Sequence, residues 1–160
     1  AADRMILGNL DPRFIWGMTN NFKYKQFSLM VFFHGVVGIT KDNPTENDAV
    51  YGDVRLNTTK KDWWSDKNPT GTHFSNDALA NQFNVGFYEK ADFTRFKDIS
   101  LAFELPRKAL EKMKVNTMKL YMTGRNLATF TPYKGLDPEI SNQLGVPLQR
   151  EVIVGVNLSF

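Results

Sequence analysis

The chain has 160 residues, enough for one domain with a buried core, carries a formal net charge of +3 and contains no cysteine. No disulfide framework and no thiolate site are available. The basic residues are dispersed apart from one cluster at Arg107, Lys108, Lys112 and Lys114, which is not a nucleic-acid footprint. The longest apolar run, Leu29–Phe33, is far short of the roughly 18 residues of a spanning helix, a limit that leaves membrane strands of about 9–11 alternating residues open.

Residues 1–13 read as a loop, with turn chemistry at Gly8-Asn9 and Asp11-Pro12. They hold no basic segment followed by an apolar one, so no signal peptide is expected, as in a cytosolic protein or a piece of a longer precursor. Phe14–Tyr24 then alternates, with Phe14, Trp16, Met18, Phe22 and Tyr24 on one face and Asn20 as the misfit. Lys25-Gln26 is short enough for a tight hairpin turn. The partner strand is Phe27–Val37, with Phe27, Leu29, Val31, Phe33 and Val37 on one face and Ser28, Met30, Phe32, His34 and Val36 on the other.

Residues 38–90 form a long, turn-rich connection holding Trp63-Trp64 and Asn68-Pro69-Thr70-Gly71, with short patches near 50–62 and 77–84 that could be helical or extended. A third strand follows over Phe93–Leu105, with Ile99, Leu101, Phe103 and Leu105 against Asp98, Ser100, Ala102 and Glu104, and Pro106 stops it. Residues 107–114 suit a turn or two of amphipathic helix. Thr117–Asn126 is the fourth strand, Leu127–Arg150 a second long loop. In the closing strand, Val152, Val154, Val156, Leu158 and Phe160 share one face. On its own that strand suits either a soluble sheet or a membrane barrel.

The connections run long, short, long, short, long. Five antiparallel strands therefore put every long connection on one side, a segregation that outer-membrane barrels show and ordinary soluble sandwiches do not need. The expected fold is all-β: a transmembrane antiparallel β-barrel segment with long extracellular loops. Trp16, Tyr24, Phe27, Phe93 and Tyr121 are candidates for its aromatic girdles.

Five stretches stand out: Tyr24-Lys25-x-Phe27-Ser28-Leu29 with Val31-Phe32-Phe33-x-Gly35, Asp92-Phe93-Thr94-Arg95-Phe96-Lys97-Asp98-Ile99-Ser100-Leu101, Gly124-Arg125-Asn126-Leu127, Thr129-Phe130-Thr131-x-Tyr133-Lys134-Gly135-Leu136-Asp137-Pro138-Glu139, and Gly155-x-x-Leu158-x-Phe160. Together they resemble the SusC/RagA family of TonB-linked outer-membrane transporters of Bacteroidetes-type bacteria. The likeness runs in order along nearly the whole chain and is loosest over 39–90. Thr94-Arg95-Phe96 departs from the family pattern, with no functional weight attached.

The resemblance implies import of a nutrient, oligosaccharide or peptide, across the outer membrane. It implies as partners a SusD-like surface lipoprotein, TonB through a missing N-terminal region, a plug, the remaining barrel strands of about 22 and the lipid bilayer, with no nucleic acid and no cofactor. Residues 1–160 would be the C-terminal part of the barrel, with the C-terminus on the periplasmic side and the plug and N-terminal strands absent. Five strands with open edges cannot cross a bilayer alone, because edge N–H and C=O groups find no partner in lipid.

Gly155, Leu158 and Phe160 resemble the C-terminal signal read by the barrel-insertion machinery, although Ile153 stands where a polar residue is usual. Trp63, Trp64, Phe130 and Tyr133 could stack on substrate or meet the lipoprotein, or simply anchor the loops to the rim. A soluble carbohydrate-binding β-domain using these loop aromatics is the competing reading. Asp137 and Glu139 sit in a turn context that outweighs a glycosidase-like carboxylate pair, and His34 and His73, on different elements, do not make a metal site. No enzymatic chemistry is expected. A hairpin joining 105 to 117 opposes Glu104 to Lys119 and Asp98 to Arg125 on the lumen face, pairs contributing roughly 0.2–1 kcal/mol each.

Overall fold

The computed structural model describes residues 6–43, 62–73, 87–111, 115–140 and 146–160. The patch expected near 77–84 and all but the last residue of that near 50–62 lie outside them. The strands are β1 (Phe14–Tyr24), β2 (Phe27–Val37), β3 (Thr40–Asp42), β4 (Tyr88–Lys90), β5 (Phe93–Glu104), β6 (Thr117–Phe130) and β7 (Glu151–Ser159), with a one-turn helix α1 (Arg107–Leu110) between β5 and β6. Five form one antiparallel sheet in the order β1-β2-β5-β6-β7; β3 and β4 make a separate ribbon.

Two boundaries differ from expectation. The base of the first long connection is not loop: Thr40–Asp42 pairs with Tyr88–Lys90. The second loop starts later, because β6 runs on to Phe130. Its extension passes through Asn126, whose φ of 52° is a left-handed conformation that Asn tolerates better than most residues. There the register of β5 against β6 slips between Phe96 and Asp98. The register of β2 against β5 slips at the same place, between Phe32 and Phe33. Such bulges insert one residue and re-aim the side chains beyond it.

The register fixes the two faces, because residues directly opposite one another share a side. Even-numbered positions of β1 oppose odd-numbered ones of β2. These continue into Phe103, Leu101 and Ile99 of β5, Leu120, Met122 and Gly124 of β6, and Val156, Val154 and Val152 of β7. The apolar sets of all five strands thus form a single face. It is not covered: Phe14, Phe22, Met122, Phe130, Val152 and Val154 are among its exposed members. β1 has 11 residues, so its first and last Cα atoms lie about 33 Å apart at roughly 3.3 Å per step. At a tilt near 40° that is about 25 Å of height, the thickness of the apolar band of an outer-membrane barrel.

Close packing on this face is local. Trp16 lies across Gly35, where a Cβ would come within 2.2 Å of the indole nitrogen. Phe33 stacks on Phe96 at 5.0 Å, and Phe27 meets Phe103 at 4.8 Å. The opposite face carries Ser100 and Thr123, hydrogen-bonded at 2.9 Å, with Asp98 and Arg125 above them. Two girdle candidates belong to this polar side instead. Tyr121 opposes Gly155, and Phe93, turned by the bulge, opposes Val36 and meets the His34 ring.

Candidate functional site

Among the described residues, most of the buried side chains lie at the long-loop end of the sheet. Val36, Ala91, Phe93, Arg95, Asn43, Tyr133 and Asp137 are all buried there. The bulge explains why: once alternation slips at Lys97, Arg95 turns onto the same side as Lys97 and Asp98, toward the segment 131–140 that folds over the strand ends.

Arg95, 2% exposed, donates from Nη2 to Asp137 Oδ1 at 2.5 Å. Its Nε is 2.9 Å from Glu139 Oε2, an ion pair without hydrogen-bond alignment, since neither atom has a hydrogen-bond partner. Glu139 Oε1 accepts from Lys97 Nζ at 2.9 Å. Asp137 also accepts from the backbone N–H groups of Glu139 (2.9 Å) and Leu148 (3.1 Å). One carboxylate therefore closes the Asp-Pro turn, ties the return of the loop and neutralises a buried guanidinium.

The same segment is fastened to the β3–β4 ribbon. Lys41 Nζ donates to the carbonyls of Pro138 and Ile140. Tyr133 donates its hydroxyl to the Asp42 carbonyl at 2.9 Å, and Lys134 N–H donates to Glu89 at 3.1 Å. Burial pulls the Lys41 ammonium below the usual lysine range, partly offset by Asp137 and Glu139. Burial also pushes the Tyr133 hydroxyl up, helped by Glu89 and Asp42. The ribbon leaves the main sheet at Gly38, with a φ of 79°, where Asp92 Oδ1 accepts from the N–H groups of Gly38 and Ile39.

Asp98 opposes Arg125, and Glu104 opposes Lys119. The first pair makes an ion pair at 3.4 Å, and Arg125 also reaches Glu151 at 3.8 Å. The loop aromatics do not converge. Trp63 lies edge-on to His73, which stacks on Phe87 at 4.7 Å. Trp64 is 45% and Phe130 65% exposed, whereas Tyr133 is 7% exposed, so its ring is an anchor and not a stacking surface. In the closing strand, Leu158 and Phe160 are exposed on the apolar side. Gly155 lies under the Tyr121 ring, where a Cβ would meet it at 2.4 Å. His34 and His73 lie on separate elements, beside Phe93 and Phe87.

Arg95 is the residue that sequence reasoning passed over. Its signal was present: Lys97-Asp98 breaks the alternation, and Phe96 is out of phase with Ile99, Leu101 and Phe103.

No protein-family model matches the chain. It is 34% identical over 139 residues to TonB-dependent receptor P3 of Formosa agariphila, an alignment covering 86% of this chain and 14% of the relative. It is 25% identical to TonB-dependent receptor P26 of the same organism, over 99% of this chain and 18% of the relative. Among solved structures, it resembles a chain of the RagAB peptide importer in the closed-closed state. There the TM-score is 0.77, with 25% identity, over 97% of this chain and 18% of that one. The open-open state of the same importer gives a TM-score of 0.75 over the same shares. The chain thus spans less than a fifth of the relatives it matches. With an apolar face of membrane height and a sheet shared with these receptors, the chain belongs to the SusC/RagA family of TonB-linked outer-membrane transporters, as a segment of the barrel.

Proposed function

We propose that this segment is C-terminal wall of an importer that carries an oligosaccharide or oligopeptide nutrient across the outer membrane. Energy is delivered through TonB, and a SusD-like surface lipoprotein works over the long-loop end. The plug and the N-terminal strands belong to parts of the protein outside this sequence. The short connections and the end of β7 face the periplasm, and the loops 38–90 and 131–150 face outward, toward substrate and lipoprotein. Gly155, Leu158 and Phe160 serve barrel insertion, and Asp98, Arg125, Glu104 and Lys119 line the lumen.

The observation that carries this reading is the single apolar face running across five paired strands. Each large side chain on it gains roughly 1.5–3 kcal/mol on leaving water. A soluble carbohydrate-binding domain would have to cover that face, and Tyr133, one of the aromatics it would use, is buried. Fractionation of cells expressing the full-length native gene tests the reading. The product is expected in the outer-membrane fraction, released only by detergent; recovery in the soluble fraction without detergent overturns it.

A further inference from the structure

We infer that the Arg95–Asp137 pair is a clasp that joins the stem of the first long loop, 40–42 with 88–90, and the segment 131–140 into one rigid unit at the barrel rim. The positioning residue is Arg95, acting through Asp137. Two sets of bonds converge on the segment 131–140. One runs to the barrel wall, from Arg95 and Lys97 of β5 to Asp137 and Glu139. The other runs to the stem of the first loop, from Lys41 to the Pro138 and Ile140 carbonyls and from Tyr133 to the Asp42 carbonyl. The stem is also fastened at its base, where Thr40 N–H donates to the Asn9 carbonyl and Asp92 accepts from Gly38 and Ile39, but it is short. It has only 3 residues on each strand, lies outside the main sheet, and follows a glycine at φ 79°. Yet Asn43 and Ala91, at the ends of the ribbon, are fully buried.

A three-residue ribbon is far below the size that stands alone in water. The segment packed on it therefore adds to its order, and that segment is held to the wall by a charge pair of which Arg95 is 2% and Asp137 6% exposed. Removing one partner strands the other charge in a buried site. The clasp also links two loops that are far apart in sequence: Lys41 and Ile140 are separated by 99 positions. The consequence is a coupling: loosening the wall side should free the stem, and loosening the stem side should free the second loop.

The test is hydrogen exchange, read by mass spectrometry on the full-length transporter in detergent. Asp137→Asn is compared with the native protein, and heat-modifiability reports that the barrel is assembled. The clasp predicts exchange faster by about 5-fold or more in peptides covering 40–43 and 87–92 as well as in 137–140. Lys41→Met leaves the wall pair intact and serves as the second variant, including where Asp137→Asn does not assemble. It must speed exchange at 137–140 from the other side, and Lys41→Arg must restore it. An effect confined to the mutated loop in either variant overturns the coupling. These readouts do not involve transport, so failure of the clasp and failure of the importer reading are separable.

Discussion

Arg95 holds a full charge at 2% exposure, and its worth depends on both carboxylates facing it. Arg95→Ala leaves Asp137 buried without its cation, a loss expected to cost about 3–5 kcal/mol, measurable as a lower unfolding midpoint in denaturant. Gly155 gives a second residue-scale test. The Tyr121 ring occupies the space a Cβ would need, at 2.4 Å, so Gly155→Val should lower the fraction of assembled barrel. If packing is the cause, Tyr121→Ala restores assembly in the double variant; if Gly155 is read as part of an insertion signal, it does not. Tyr133 supplies a pH dependence. Its pKa is raised above the ordinary 10.0 by burial, so its contribution to stability is complete below pH 10 and is lost as pH climbs through the raised value. Above pH 10 the native protein should therefore lose stability more steeply than Tyr133→Phe, followed by thermal unfolding. Lys41 has the opposite sign: its lowered pKa makes stability rise with pH up to the free lysine value of 10.5.

At the level of elements, the sheet strands were legible because period-2 alternation is a local signal. β1 and β2 follow the expected bounds, and the register of β5 against β6 follows from the short connection between them. A reading that assumes unbroken alternation passes over a change of phase, even where Lys97-Asp98 signals one. The bulge at Lys97 turns Phe93 and Arg95 to the polar side, and the left-handed Asn126 carries β6 on to Phe130. Asn126→Gly should fold as well as the native protein, whereas Asn126→Val should cost about 1–3 kcal/mol, read as a shift in denaturant midpoint. The Asp98–Arg125 pair was legible, but its strength was not. Arg125 is 52% exposed, so screening leaves Asp98→Asn within about 1 kcal/mol of the native stability. The Arg95–Asp137 contact was out of reach for a local reading, because the two residues lie 42 positions apart and on opposite sides of an unexpected bulge.

For the whole molecule, the two faces of the sheet have opposite chemistry, and among the described residues neither encloses a core. Among the described residues, the buried apolar side chains gather mostly at the rim, and the broad apolar face is left to an apolar solvent. The loop asymmetry pointed to this arrangement from sequence, and the strand registers put all five apolar sets on one side. The most direct measurement is oxygen and nickel-chelate accessibility of nitroxide labels placed singly on the full-length transporter in lipid bilayers. Labels at Leu101, Met122 and Val154 should be reached by oxygen and shielded from the aqueous chelate, while labels at Ser100, Thr123 and Ile153 show the reverse. Equal accessibility at neighbouring positions, or chelate access to Leu101 and Val154, would contradict a lipid-facing sheet.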